Sequence, residues 1–275
     1  MQQGELLSRV NELPQIKKVL QELVELVNQE DVDFHLLSQK IALEQVVSAK
    51  VLRLANSAHF GRSRTVASID EAVVRLGMAP IKTMVIVSVL SSAFPKFETM
   101  DIHQYWSDTF EVATIASYLA KKVRLDANQA FTAGVLHNIG ELMIHSLAPD
   151  FALEIAHRIE NGEEASLVQN EILGTTSTRL GAKLATAWKF GPELTDSIAH
   201  YLVPDQAEED QRMASLLHLA FRINRDWASL ESEQEQYDYL DASQDLVALG
   251  LSPEEYEGIN CVIGKGEEIA TQMMG

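Results

Sequence analysis

Eight histidines are the side chains of this sequence best suited to metal binding or acid–base chemistry. The clearest grouping surrounds His137: Glu141 and His145 follow it at intervals of four residues, which predicts that all three share one helix face. The first and the last lie two turns, about 12 Å, apart along the helix axis. The three side chains therefore do not close on one ion, and the spacing alone predicts no metal site.

The sequence around His137 belongs to a longer pattern. Residues 131–142 read FTAGVLHNIGEL, which resembles the signature of the HD-domain phosphohydrolases, whose helix carries adjacent His and Asp ligands. Other strings resemble one branch of that superfamily, the HDOD domain. They are Leu13-Pro14, VLRLANSAHFG at 51–61, AVVRLG at 72–77, Tyr105-Trp106, and LGAKL at 180–184 before Trp188. The resemblance covers about residues 13 to 204.

The resemblance implies a metal site in which His and Asp side chains from several helices hold divalent ions that activate water against a phosphate. In this sequence the first His position falls on Asp108 and a later one on Ser177, while the paired motif keeps His137 but has Asn138 in place of Asp. His200 remains in the last helix of the pattern.

These departures count against catalysis, because a neutral amide oxygen is a weak ligand and does not bridge two ions as a carboxylate does. We expect degenerate positions at Asn138 and Ser177 and no cofactor. The alternative is a single divalent ion held by Asp108, His137 and His200.

A basic stretch interrupts a chain of net charge −18. Residues 49–97 contain seven Lys or Arg and two Asp or Glu, a net charge of +5, whereas residues 205–275 carry −12. The side chains of this stretch that could form a surface for an anion or a protein partner are Arg53, Asn56, Arg62, Arg64 and Arg75. The simpler interpretation is that these arginines pair with the surplus carboxylates of the chain itself.

The dominant hydrophobic period is helical, so we predict an all-α, multi-helical HD-domain-like bundle with an N-terminal helical lobe. Ser68–Glu71 and Asp126–Gln129 have the spacing of capping boxes, and Ser252–Glu255 adds Pro at the first helical position. A buried strand at 85–90 is the only alternative, and it would have no partner. We predict an N-terminal lobe over 1–97, an HD-like lobe over 98–204, and an acidic helical extension over 205–275 packed on the same domain.

Composition and termini indicate the compartment. Cys261 is the single cysteine, which excludes an intrachain disulfide and a cysteine-based metal site. The start, MQQGELLSRVNELP, has no signal-peptide pattern. The most apolar run, residues 84–94, has about half of the roughly 20 residues that cross a bilayer. These features predict a cytoplasmic protein without a membrane segment.

Three functional hypotheses follow. The first is a bacterial signalling module that resembles HDOD proteins and acts, without catalysis, by binding a protein partner of its pathway or a small, nucleotide-type ligand. The alternative is a metal-dependent phosphohydrolase of a nucleotide or cyclic dinucleotide with a reduced HD-type site. Nucleic-acid binding through the basic stretch is the third, and the acidic net charge and the lack of a recognition motif disfavour it. The oligomeric state is left open.

Overall fold

The computed structural model describes residues 18–27, 29, 32–56, 65–94, 98–252 and 258–274. Every regular element in these ranges is a helix, so the predicted all-α class is confirmed. The alternative of a strand at 85–90 is wrong, because these residues lie within a helix, where all six are buried. The predicted lobe boundary near residue 97 and most of the Ser252–Glu255 capping box lie outside the described residues.

The described chain forms two compact units. The N-terminal unit consists of α1 (Lys18–Val27), α2 (Phe34–Ala42), α3 (Gln45–Ala55), α4 (Ile69–Leu76) and α5 (Met78–Ala93). Side chains from each helix fill its core, among them Leu23, Leu37, Val51, Val73 and Met84. Because each of α1 to α4 has one apolar face turned inward, these short helices are stabilised by tertiary packing.

The larger unit contains the helices that carry the HD-like motif. They are α6 (Ile102–Lys122), α7 (Ala127–Leu136), α8 (Ile139–Leu147), α9 (Pro149–Glu160), α10 (Ala165–Leu173), α11 (Ser177–Ala187), α12 (Pro192–His200), α13 (Gln211–Asp226), α14 (Glu233–Asp241), α15 (Gln244–Leu249) and, as far as Ala270, α16 (Lys265–Met274). Helix α6 is the longest and lies in the core of this unit, where its residues pack against α7 and α13. It is therefore the element from which the candidate site is positioned.

Helix starts follow local side-chain chemistry. The carboxylate of Asp126 accepts the N–H groups of Asn128 and Gln129 at the start of α7, and Ser68 accepts the N–H of Glu71 at the start of α4. Glu71 reaches back to the N–H of Ala67, one residue before the cap. Both predicted starts are confirmed, because these caps satisfy N–H groups that have no partner inside the helix.

Residues 258–268 lie against α6 and are held there by a buried carboxylate. Glu111, 8% exposed, accepts the N–H of Gly264 with one oxygen and that of Gly266 with the other, both at 2.6 Å. The Ser107 hydroxyl donates to Glu267 at 2.6 Å. Burial raises the pKa of Glu111 against the opposing effect of these N–H groups. Glu111 thus caps the start of α16 from another helix.

We expect Glu111→Ala to release this segment. The change leaves the buried N–H of Gly266 without an acceptor, a cost that removal of a buried charge partly offsets, so the free energy of unfolding should fall by about 1–2 kcal/mol. Limited proteolysis should then cut near residue 258 faster than in the wild type. Glu268→Ala, at an exposed position of the same helix, is the control. Equal protection in both variants would show that Glu111 does not hold the segment.

The apolar helices of the described chain are short or bent. Among the described residues, no single helix has both the length and the apolar composition needed to cross a bilayer. Residues 69–76 and 80–93 meet those criteria only as a pair bent by 117°.

Candidate functional site

The chain turns between His137 and the helix that follows. α7 ends at Leu136, and Asn138 (φ −107°, ψ 13°) precedes the start of α8 at Ile139. The prediction that His137, Glu141 and His145 share one helix face is therefore wrong, because His137 lies at the end of the preceding helix. The turn directs His137 and Asn138 to different neighbours.

Asn138 is held by two side chains of α6. The Tyr105 hydroxyl donates to Oδ1 of Asn138 at 2.9 Å, and Nδ2 of Asn138 donates to the Thr109 hydroxyl at 2.8 Å. Thr109 in turn donates its proton to the Tyr105 carbonyl at 2.6 Å. Both ends of the amide are thus used, one as acceptor and one as donor. A carboxylate in this position has no proton with which to make the second bond.

His137 is 3% exposed and is fixed in one tautomer. Its Nδ1 lies 2.6 Å from the carbonyl oxygen of Gly134, which only accepts, so Nδ1 carries the proton and Nε2 keeps its lone pair. The ring contacts Tyr201 edge-on at 5.3 Å between centroids and Phe221 at 6.2 Å. Burial lowers the pKa of His137 to about 4, against the opposing hydrogen bond to Gly134. The imidazole is neutral at pH 7.

Glu141 links α8 to two further helices. Its Oε1 accepts from Nε2 of Gln169 at 2.9 Å, and Oε1 of Gln169 accepts the N–H of Ser177 at 2.8 Å. Burial raises the pKa of both Tyr105 and Tyr201 well above the usual range, and the charge of Glu141 raises them further. The Glu141 carboxylate therefore lies close enough to both phenols to impose a negative potential on them.

The predicted ligands Asp108 and His200 have other partners. Asp108 accepts from the side chain of Gln104 at 3.0 Å, and Nδ1 of His200 lies 2.8 Å from Asp196. Burial raises the pKa of Asp196, but the N–H of Glu209, the His200 ring and a further N–H more than offset this, so it lies below its usual range. Within the described ranges, no three His, Cys, Asp or Glu side chains form a group that could hold a metal ion.

The residues present do not fit the metal centre that the HD signature implies. Asn138 uses both ends of its amide in bonds to Tyr105 and Thr109, and Ser177 offers a hydroxyl where an imidazole would be needed. A neutral hydroxyl is a weaker ligand for a transition-metal ion than an imidazole, and an engaged amide would have to break two hydrogen bonds to bind one.

The structure describes only part of the basic stretch, residues 49–97. Arg62 and Arg64 lie outside the described residues, and Arg75 donates to the Ala55 carbonyl at 3.4 Å, at the end of α3. Asn56 uses its side chain within the fold, since Oδ1 accepts the N–H of Val66 at 2.7 Å and Nδ2 donates to the carbonyl of Val66 at 2.9 Å. Arg53 lies on an exposed part of α3. The surface role assigned to these residues stays a prediction.

Two other basic side chains of the same stretch lie partly inside the N-terminal unit. Burial lowers the pKa of Lys50, and the neighbouring charge of Arg53 lowers it further. Burial also lowers the pKa of Lys82. The Nζ of Lys50 donates to the Ser91 hydroxyl at 3.4 Å. Part of the +5 charge of this stretch is therefore not displayed at the surface.

Of the residues that contact the site, Thr109, Gln169 and Tyr201 belong to none of the motifs, whereas Tyr105 is part of the Tyr105-Trp106 string. Tyr105 and Thr109 lie four residues apart on α6, and a polar pair at that spacing in a buried helix was a usable signal. Gln169 and Tyr201 give no such signal, because the residues of the HD-like motif that they contact, Glu141 and His137, lie 28 and 64 positions earlier in the sequence.

The fold and these motifs match known proteins. The family model of the HDOD domain matches residues 13–204. A crystal structure of a candidate phosphohydrolase from Shewanella amazonensis SB2B shares 38% identity with a TM-score of 0.86, covering 98% of this chain and 97% of that one. An HDOD domain protein of unknown function from Geobacter sulfurreducens has a TM-score of 0.80 at 18% identity, over 98% of this chain and 96% of that one. Because its identity is low, the latter shows the fold alone.

One curated relative is a protein of Treponema pallidum (strain Nichols), which is 24% identical over 216 residues. The alignment covers 77% of this chain and 42% of that protein, so the chain spans less than half the length of this relative. The class defined by the fold is the HD-domain-like helical bundle. Within that class, the chain belongs to the HDOD domain family.

Proposed function

We propose that this chain is a regulatory signalling module of the HDOD type that acts by binding a protein partner or a small ligand and does not hydrolyse phosphate esters. The observation that carries the proposal is the amide of Asn138, which donates to Thr109 and accepts from Tyr105 where the HD signature has a metal-binding carboxylate. The family membership supports the regulatory role. A protein of Marinobacter aquaeolei VT8 with the same fold, at 23% identity and a TM-score of 0.80 over 96% of this chain and 60% of that one, is named a candidate signal transduction protein.

The charges around the motif also favour binding over hydrolysis. A phosphohydrolase concentrates positive charge, usually as metal ions, where the phosphate binds. Here the motif itself contributes a neutral imidazole, His137, and the carboxylate of Glu141, whose charge raises the pKa of two phenols. A phosphate dianion would be repelled by this arrangement.

Elemental analysis and a hydrolysis assay test the proposal. We expect purified protein to contain no stoichiometric transition metal, and a generic phosphodiester in added Mn²⁺ to be hydrolysed no faster than in a protein-free control. The same assay on Asn138→Asp/Ser177→His serves as the matched comparison, because it restores the signature at the two degenerate positions. The proposal is wrong if the wild type holds stoichiometric metal and its turnover disappears both in His137→Ala and after chelation of the metal. Because chelation acts on the wild-type protein, this result does not depend on whether the variant folds.

A further inference from the structure

Helix α3 carries an exposed face that combines apolar and basic side chains. Val46, Lys50 and Arg53 follow one another at intervals of four and three residues, so they lie on one side of the helix. The opposite side, which includes Val47 and Val51, is buried in the N-terminal unit. Val46 is 54% exposed, Arg53 is exposed as well, and Lys50 is half-buried. We call Val46, Lys50 and Arg53 the α3 face.

The apolar part of the α3 face is not an isolated side chain. Leu43, which precedes α3 by two residues, is 76% exposed. Phe34 and Leu36, in the first turn of α2, are exposed as well. Four of the eleven large apolar side chains that are exposed in the described part of the chain therefore fall within residues 34–46. Exposed apolar side chains that group in this way are typical of protein-binding surfaces, whereas single scattered ones are not.

The charge of the α3 face favours an acidic partner. Lys50 and Arg53 are the only charged residues of helix α3. The hydrogen bond from Nζ of Lys50 to the Ser91 hydroxyl, at 3.4 Å, has a neutral acceptor, so it does not offset the charge. Arg53 lies in the last turn, where a positive charge stabilises the helix itself, but that effect needs no apolar neighbour. An acidic protein surface with an apolar centre complements both parts of the face, whereas a nucleic acid would leave Val46 unused.

Helix α14 of the same chain presents such a surface. Its nine residues include four carboxylates and no basic side chain. Tyr237, 38% exposed, shares one side of the helix with Asp238 and Asp241, which are also exposed. Leu240, on the other side, is buried. We call Tyr237, Asp238 and Asp241 the α14 face. It matches the α3 face in kind, with an apolar side chain beside charges of the opposite sign.

Contacts between copies of the chain should join unlike faces. Two α3 faces in contact would bring Arg53 against Arg53, and two α14 faces would bring carboxylates together, and both arrangements cost free energy. Each copy carries a net charge of −18. At physiological salt the repulsion between exposed charges is screened beyond about 8 Å. Short-range pairing of opposite charges at the contact therefore decides the arrangement.

We propose that the α3 face of one copy binds the α14 face of a second copy, with Arg53 paired to the α14 carboxylates and Val46 packed against Tyr237. A contact between unlike faces leaves one unused face at each end, so the copies associate head to tail. The residues His137 and Asn138 take no part in this contact. Self-association and the proposed function can therefore be tested separately.

Sedimentation velocity of the full chain, at protein concentrations from about 10 μM to about 1 mM, tests this proposal. We expect reversible association into species larger than a dimer, with a dissociation constant on the order of 0.1 mM, as suits a small interface. Val46→Ser/Arg53→Ser removes the α3 face and should weaken association at least tenfold. Tyr237→Ser/Asp241→Ser removes the α14 face and should have the same effect. Leu167→Ser, at a 70% exposed position of α10, should leave association unchanged.

A mixture of the two double variants identifies the pairing. Each variant keeps the face that the other lacks, so an equimolar mixture should form a one-to-one complex although neither variant associates alone. Association in the mixture also shows that both variants are folded. The proposal is overturned if the wild type sediments as a monomer at every concentration, if only one of the two double variants loses association, if the mixture stays monomeric, or if Leu167→Ser weakens association as much as they do.

Discussion

Replacement of Gly140 by alanine should destabilise the larger unit by about 3 kcal/mol or more. A Cβ at this position would lie 1.8 Å from the carbonyl oxygen of Ser177 and 2.6 Å from its carbonyl carbon. These are backbone atoms at the start of α11, which cannot move aside as a flexible side chain can. Since non-bonded atoms are most stable at about 3.5–4.0 Å, α8 and α11 would have to separate by more than 1 Å.

The steric cost must exceed a gain in helix propensity, because alanine is favoured over glycine by about 1 kcal/mol inside a helix. Urea unfolding of the full chain measures the net result. Gly191→Ala is the control: its Cβ would meet only the flexible carboxylate of Glu193, at 3.2 Å, and its φ of −61° suits any residue. We expect that variant to change the free energy of unfolding by less than about 1 kcal/mol.

Other glycines at helix contacts provide a graded series. A Cβ on Gly134 would lie 2.4 Å from Ala113 Cα, where α7 crosses α6, and one on Gly181 would lie 3.1 Å from a methyl group of Ile139. The predicted order of destabilisation is therefore Gly140, Gly134 and then Gly181. If the free energy of unfolding of Gly140→Ala lies within about 1 kcal/mol of the wild-type value, the expected clash is absent. In that case α8 and α11 do not lie as close together at Gly140 as described.

The contact at Gly140 also connects stability to the candidate site. Moving α11 away from α8 would stretch the 2.8 Å bond from the Ser177 N–H to Gln169. Gln169 is the residue that orients Glu141. Loss of that bond would release the side chain that donates to Glu141, so the glycine contact positions the residues of the candidate site as well as stabilising the fold.

Local sequence patterns predict the helix starts and the Asn at position 138, but not the side chains that hold this Asn. The helix starts can be predicted from the sequence because a capping hydrogen bond joins residues three apart, as at Ser68 and Asp126. The Asn in place of Asp at 138 was readable because the motif around it is local. The two hydrogen bonds of the Asn138 amide come from Tyr105 and Thr109, about 30 residues earlier. Local sequence patterns do not predict contacts between residues so far apart.

The turn after His137 is not predictable from the local sequence for a related reason. No Pro or β-branched cluster marks residues 136–139, and Gly140 lies inside α8 rather than at its start. Local propensity therefore favoured one continuous helix. The interruption follows from packing: Gly140 must lie against Ser177 while Asn138 meets α6. Only the tertiary arrangement imposes both conditions.

The second prediction concerns Asn138→Asp, which restores the residue type of the HD signature. We expect this variant to be less stable than the wild type by about 2–3 kcal/mol at pH 8, because a carboxylate cannot donate to the Thr109 hydroxyl. If Thr109 turns its own proton to the carboxylate, the carbonyl of Tyr105 loses the bond that it now accepts. One hydrogen bond is lost in either arrangement, and the nearby charge of Glu141 opposes ionisation.

The stability that Asn138→Asp loses relative to the wild type should increase as the pH rises. Partial burial and the Glu141 charge should raise the pKa of an Asp at 138 above its unfolded value, so the folded variant binds a proton that the unfolded chain has released. The stability of the variant relative to the wild type is then best near pH 4, where the protonated carboxyl can donate to Thr109. It declines as the pH rises through the raised pKa. Urea unfolding at a series of pH values measures this curve.

Asn138→Ala is the matched control, because it removes both hydrogen bonds without adding a titratable group, so its deficit should stay constant between pH 5 and pH 8. Mn²⁺ discriminates between a structural amide and a lost metal ligand. A ligand that binds only the folded state raises stability by mass action. If Mn²⁺ at pH 8 restores the free energy of unfolding of Asn138→Asp to the wild-type value and does not change that of Asn138→Ala, a single added carboxylate is enough to complete a metal site. Unchanged instability would show instead that the neighbours of residue 138 are built for an amide.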